Sequence, residues 1–408
     1  MERKKICLML AFLAASFLLP APLTAQTALP IIKSLGDLNE GNRHLQLMVD
    51  GEYFFLDAEN GMPIAKGYTV TGFRLTPTLV YGINERAQIR LGFNAVAFAG
   101  LDSLYHLRPV FSLVYRPTRW LRLVAGTIYG GRHHNLGAPA YDPTRMIFHP
   151  QEEGLQIVTN TRRWNSDTWL DWHHYLTPWT PDQEQFTMGS RHEIVLVNSF
   201  FDEVLYESDR IADNKTRCFV MSVPLHFVAD HRGGEVKTID TNTVTTFNER
   251  AGIRLFFDKY DIAKTRYGSL TIDLPFYFYH LEDKELDNGG WAFYPTVGYE
   301  FKKENREGDV LRSWSLTAGY WHGDHYFSAH GSPQFWSIYP YSALHIPSAV
   351  RAVAAEQRDM LTLSFGFSHE FKGIDLGFKV DAYHDFDMKE TDFLFGFTVG
   401  FKERFKLF

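Results

Sequence analysis

The chain has 408 residues, with 41 lysines and arginines against 48 aspartates and glutamates, and a formal net charge of -7. That mild acidity argues against nucleic acid as a partner. Its two cysteines, Cys7 and Cys218, exclude a disulfide framework and a cysteine-based zinc site.

The first stretch, MERKKICLMLAFLAASFLLPAPLTAQ, sets Arg3, Lys4 and Lys5 before an apolar run from Ile6 to Leu19, followed by Pro20, Pro22 and a small-residue exit at Ala25. This predicts a secretory signal over residues 1–25, cut before Gln26, and an exported domain over 26–408. Removal takes away Arg3, Lys4, Lys5 and Glu2, a net +2, so the charge moves from -7 to -9. Cys7 leaves with the signal. No later run reaches the roughly 18 apolar residues a spanning helix needs.

Downstream the pattern is alternation. In HLQLMVD, Leu45, Leu47 and Val49 oppose His44, Gln46 and Met48; in FRLTPTLVY, Phe73, Leu75, Leu79 and Tyr81 oppose Arg74, Thr76, Thr78 and Val80. Period two predicts strands. Sixteen are expected, near 44–57, 68–82, 87–98, 105–116, 119–130, 153–164, 167–177, 189–201, 215–229, 241–257, 265–280, 290–302, 309–322, 356–371, 374–385 and 391–407. Short polar turns alternate with longer connectors, notably 131–152, 178–188, 230–240 and 323–355; the 202–214 connector is longish for its side. Stretch 346–357 could form a short helix in the longest loop.

One-sided long loops around an even number of alternating strands predict a transmembrane barrel. Hydrocarbon offers no partners for backbone N–H and C=O groups, so a sheet within it must close. The segment DFLFGFTVGFKERFKLF, with phenylalanines at 393, 395, 397, 401 and 405 on one parity, then presents its aromatic face to lipid against the first strand. Glu403 interrupts that row, as expected at the periplasmic rim. Tyrosines and tryptophans near strand ends suit the two membrane interfaces. The expected fold is all-β: a single closed antiparallel transmembrane β-barrel of about 16 strands, with short periplasmic turns and long extracellular loops.

The signal segment, the strand rhythm and the aromatic strand ending in Phe408 together resemble Gram-negative outer-membrane β-barrel proteins of the porin type. The resemblance is architectural, covers nearly the whole exported chain and matches no subfamily motif. It implies a location in the cell outer membrane among lipid and lipopolysaccharide, recognition of the C-terminal strand by the barrel-assembly machinery, small polar solutes as cargo, and frequent assembly as a homotrimer.

Three constellations are candidates for function. Strand parity sends Arg74, Arg90, Arg108, Arg122 and Arg162 into the lumen, joined by Arg250 and Arg254, with Asp273, Asp375 and Asp381 inward elsewhere. Segregated rows of opposite sign would create a transverse field favouring anionic solutes, whereas charges that pair across the barrel would simply stiffen it.

Most of the 17 histidines fall near the long loops, His133, His134, His149 and His173 among them, and WHGDHYFSAHG supplies His322, Asp324, His325 and His330 as candidate metal ligands without matching a known signature. Histidine is also common at wet interfaces. In RRWNSDTWLDWHHYLTPW, Trp164, Trp169, Trp172 and Trp179 surround Asp171, which suits either a sugar-stacking platform or an interfacial girdle.

The expectation is therefore a porin-like channel for passive, weakly selective diffusion of small polar solutes, anionic ones or sugars among the candidates, with no cofactor, no metal and no enzymatic step. Two alternatives stand beside it. One is a non-conducting barrel that binds surface partners or joins a secretion complex, docking through its crown or the 202–214 turn. The other is a loop-borne hydrolase using His325, Ser328 and His330, or Asp171 with His173, although no motif marks a nucleophile.

Overall fold

The computed structural model describes residues 44–62, 66–174, 184–199, 215–233, 243–261, 266–282, 289–304, 310–338 and 356–407. The expected signal segment, the 202–214 connector, Trp179 and the 346–355 stretch lie outside these residues. No helix among them is long and apolar enough to cross a membrane.

Seventeen strands form one antiparallel sheet: β1 (Leu45–Glu59), β2 (Tyr68–Asn84), β3 (Ala87–Phe98), β4 (His106–Thr118), β5 (Leu121–Thr127), β6 (Glu153–Asn160), β7 (Trp164–His174), β8 (Gln185–Asn198), β9 (Lys215–Arg232), β10 (Val244–Asp261), β11 (Arg266–Glu282), β12 (Gly289–Phe293), β13 (Thr296–Glu304), β14 (Val310–Asp324), β15 (Gln357–Phe371), β16 (Ile374–Asp385) and β17 (Glu390–Lys406). Apart from β12 and β13, each pairs with its chain neighbours, and β17 closes on β1 from Gln46↔Lys406 to Glu59↔Phe393.

β12 and β13 are two pieces of a single stave. Both pair with β11 on one side and β14 on the other. The break falls at Tyr294 and Pro295, because proline has no N–H to give the ladder. Tyr294 N–H still reaches the Pro275 carbonyl (3.0 Å), and Tyr320 N–H the Pro295 carbonyl (3.1 Å). The barrel is therefore closed and sixteen-staved, as the alternation predicts.

Outward positions carry exposed apolar side chains: Tyr53, Phe73, Leu91, Phe111, Ile157, Ile253, Phe276, Phe393 and Phe405 among them. A closed ladder with such a band is the β-sheet solution that hydrocarbon permits, so the protein is a membrane-spanning barrel of the outer-membrane type. At the seam the Phe401 ring lies over Gly51, filling the space a side chain would take. Gly51→Leu is expected to displace this ring and cost about 1–3 kcal/mol by overpacking. The check is a lower temperature for the gel-mobility shift of the folded barrel.

Inward positions carry polar groups that mostly pair with each other. Arg74 bonds Glu52 (2.8 Å), Arg254 bridges Asp273 (2.9 Å) and Glu193 (3.2 Å), Arg250 meets Asp273 (2.5 Å), and Lys379 meets Asp381 (2.6 Å).

Two segments from the long-loop end fold into the lumen. Residues 128–152 follow β5, and residues 325–338 follow β14. They hold each other through Asp142 N–H to the His330 carbonyl (2.6 Å), Ser332 N–H to the Ala138 carbonyl (2.8 Å) and the Tyr326 hydroxyl to the Pro139 carbonyl (3.0 Å).

Wall residues clamp them. Asn248 donates to the Phe327 carbonyl (2.6 Å), while Arg358, fully buried against Asp385 (2.7 Å), donates to the Trp336 carbonyl. Around Trp321, Tyr326, Phe327 and Phe335 the barrel interior is a packed apolar core rather than open water.

Candidate functional site

The ladder is weakest where the first inward segment leaves the wall. β5 has 7 residues and β6 has 8, against 13 in β4 and 11 in β7. A spanning strand needs about 9–11 residues. Gly126 is the last residue but one of β5: its φ is +92°, a backbone conformation side chains rarely adopt, and a Cβ there would strike the Phe111 carbonyl. Beyond this level β4 residues 106–111 ladder only with β3, and β7 residues 172–174 only with β8.

The resulting notch is crossed by residues 148–152. Phe148 O accepts from the Tyr105 hydroxyl (3.2 Å), and Gln151 donates to the otherwise unladdered Pro109 carbonyl (2.7 Å). Outside lie exposed Leu104, Tyr105, Leu107 and Trp172. Inside lies a run of histidines and carboxylates.

The deepest of these is a clamp around His134. Its Nδ1 faces Asp167 (2.9 Å) and its Nε2 faces Glu152 (2.8 Å), with all three groups buried. The Trp169 indole stacks on the imidazole at 3.6 Å, in space left open by Gly189. Glu152 also accepts from the Tyr141 hydroxyl (2.5 Å) and Gly131 N–H (3.0 Å). Burial opposes charge on His134, but the Glu152 and Asp167 carboxylates outweigh it and hold its pKa up at about 9. Burial likewise opposes charge on Glu152, yet His134 holds it well below the usual carboxylate range. With both ring nitrogens engaged, His134 fixes the inward segment and has no lone pair for a substrate.

Beside it lies a second cluster. His330 Nε2 is 2.8 Å from Asp230 Oδ1 and 2.8 Å from Thr187 Oγ1, and His173 Nε2 is 2.8 Å from the same hydroxyl. Asp171 lies 3.5 Å from His173 and accepts Glu153 N–H (2.8 Å). Tyr141 links the two clusters, its ring 6.4 Å from His134 and 6.5 Å from His330.

His149, exposed on the notch-crossing segment, is the third feature. Protein atoms that displace water from part of the ring, then the positive charges of Arg145, His330 and Arg108, pull its pKa down to about 4, leaving a neutral imidazole at neutral pH. A neutral, exposed imidazole is the form that takes a proton from water or a hydroxyl.

The family model described as lipid A 3'-O-deacylase-type matches residues 38–408. The chain belongs to that family. It is an enzyme family, which overturns the expectation of a protein without enzymatic function. No curated protein matches the chain.

Among solved structures it is similar to the outer-membrane protein OprD of Pseudomonas aeruginosa (8% identity, 92% of this chain and 97% of that one, TM-score 0.42). It is also similar to OmpT of Vibrio cholerae in its trimer form (8%, 88% and 100%, 0.45) and to OprB of Pseudomonas putida (9%, 88% and 94%, 0.47).

The residues singled out in the sequence are dispersed by the fold. Arg90 and Arg250 are buried on the inner wall, Arg122 lies 5.4 Å from the Tyr129 ring, and Arg108 is exposed at the notch. Arg162 is not on a strand at all: β6 stops at Asn160, and Arg162 sits exposed in the turn that Thr161 and Trp164 close. Asp273 and Asp381 pair with Arg250, Arg254 and Lys379 instead of forming a separate acidic wall.

The tryptophan platform does not assemble. Trp169 and Asp171 share the inward parity of β7, while Trp164 and Trp172 face out. The loop quartet also divides. His322 joins Asp359 (2.8 Å), His325 joins Asp324 (2.5 Å), and His330 turns inward to His173 and Asp230.

Sequence reasoning placed His133, His134, His149 and His173 at the long-loop end but did not connect them to Glu152, Asp167, Thr187 or Asp230. The available signal was parity: Asp167, Trp169, Asp171 and His173 alternate along one face of β7.

Proposed function

We propose that the protein is an outer-membrane esterase that removes an ester-linked acyl chain from lipid A or a lipid built like it, and that the substrate enters sideways at the β5–β6 notch. The observation that carries this reading is the incomplete wall. An exposed, neutral His149 and the cation Arg108 stand at the one place described where the ladder falls short of bilayer thickness. The acyl chain would remain in hydrocarbon against Tyr105, Leu107 and Trp172, while Arg108 and Arg145 attract the anionic headgroup.

In this scheme His149 takes a proton from water as the oxygen attacks the ester carbonyl. The flanking cations stabilise the oxyanion, and the imidazolium returns its proton to the departing sugar hydroxyl. Family membership supports the reaction class. The packed segments 128–152 and 325–338, which cross the lumen, support it over diffusion of solutes past the arginines. Incubating the folded protein with lipid A vesicles and following free fatty acid by mass spectrometry tests the reading, which fails if no fatty acid appears above a boiled control.

Arg108→Ala is expected to raise KM for lipid A about 10-fold or more, in line with a charge-assisted contact of about 1.5–3 kcal/mol. An uncharged ester substrate should show no such rise.

A further inference from the structure

We propose that the water consumed in each hydrolysis reaches His149 from the periplasmic side, through the lower lumen and a neck at Asp50 and Arg74, an inference that rests on the esterase reading. Hydrolysis needs such a route. Each turnover takes one water: its oxygen and one hydrogen end in the carboxylic acid, and the other proton passes by His149 to the sugar hydroxyl. A lipid docked at the notch covers the outer approach to His149 with its own chain and headgroup. Toward the long-loop end, the inward segments pack into the apolar core around Trp321, Tyr326, Phe327 and Phe335. The inner face is the side left open.

Two cavities lie there in series. The first, of about 30 Å³, sits behind the notch-crossing segment, with His149, Gln151 and Glu152 on one side and Thr76 and Asn94 on the other. The second, of about 140 Å³, lies nearer the short-turn end: Asp375, Leu376 and Gly377, just after the turn at Lys372 and Gly373, line it with Ser368 and Thr398. Asp50 and Arg74 line both cavities, which therefore meet at these two side chains.

A water needs roughly 10–15 Å³ and two to four polar partners. The inner cavity thus has room for about two waters and the outer one for several. The partners are also present. Thr76 and Asn94, both buried, are joined through the Thr76 hydroxyl (3.1 Å), and Gln151 Oε1 is buried with no protein partner among the described residues, an acceptor that a water would satisfy. At the neck, Arg74 is held by Glu52 (2.8 Å), and Lys402 lies 3.6 Å from Asp50. His149 belongs to both regions: it lines the inner cavity and is exposed at the notch. Lipid and water would meet at this imidazole from opposite sides of the wall.

The test places a thiol in the inner cavity, Thr76→Cys in a Cys218→Ser background, in the full-length barrel checked for folded gel mobility. The probe is Ag⁺, a thiol-seeking cation close to water in size, and its reaction is read as protection from alkylation after unfolding. With saturating lipid A covering the notch, the thiol should still react at the rate seen without lipid. Adding Asp50→Phe to fill the neck should slow that reaction about 10-fold or more when lipid A is present, and much less when it is absent. In the fatty-acid assay, Thr76→Val with Asn94→Leu should lower kcat about 10-fold with KM unchanged, while Thr76→Ser keeps the parental rate.

The proposal is overturned if lipid A alone shields the thiol, if filling the neck changes nothing while the notch is covered, or if kcat of the folded double variant equals that of the parent. A parent barrel that releases no fatty acid would remove the esterase reading, and with it the role given to this water. Fatty-acid release from a parent whose neck proves irrelevant would remove the route alone.

Discussion

Replacing His149 by alanine is expected to abolish fatty-acid release from lipid A while the barrel stays folded. General-base catalysis contributes about 10²–10⁴-fold, so the residual rate should fall by that amount in kcat with little change in KM. The fold should survive because the side chain is exposed on a connecting segment. The pH profile is a second reading of the same residue. His149 works as a base only when neutral and its pKa lies near 4, so activity should climb through that region and stay level above it. An acidic limb near 6.5 instead would assign the base to an ordinary, unperturbed histidine elsewhere. Unchanged turnover in His149→Ala would remove the residue from the mechanism.

The second large effect is on stability. His134→Ala strips the cation from between two buried carboxylates, Glu152 and Asp167, and should cost about 3–5 kcal/mol. The triple change His134→Leu, Glu152→Gln and Asp167→Asn removes every charge of the clamp and should recover part of the loss, because the penalty arises from unpaired charge rather than from missing attraction.

The clamp also sets a pH window. The folded pKa of His134 is raised, so its contribution is complete below the ordinary value of 6.5 and is lost as pH rises through about 9. The folded pKa of Glu152 is depressed, so its contribution is complete above the ordinary 4.5 and fades as pH falls toward its folded value. Thermal unfolding measured across pH should therefore show the parent's advantage over the triple variant greatest between about 4.5 and 6.5.

How far the sequence could be read depended on the range of the interaction. Alternation is local and covalent in origin, so the strands, the closure of β17 on β1 and the aromatic lipid face were legible from residue types alone. The strand lengths that make the notch were not. Residues 119–130 and 153–164 alternate as if both spanned fully, and only the φ of Gly126 and a β4 register that ends at Ser112 reveal that the ladder stops early.

The site was illegible for the same reason. His173, Thr187, Asp230 and His330 stand on four different elements, and their meeting depends on a segment folding inward, which no periodicity encodes. Trp164, Trp169 and Trp172 mark the opposite error. Nearness in the chain suggested one cluster, and strand parity placed them on two sides of a wall.

The β1–β17 seam joins stretches from nearly opposite ends of the described chain, Glu59 meeting Phe393 and Gln46 meeting Lys406. Contacts so distant in sequence are the slowest to form, since ordering entropy is lost before they return anything. Maturation should therefore end in a single late cyclising step. Until then the incomplete sheet would carry two raw edges, each a template for misassembly with another chain.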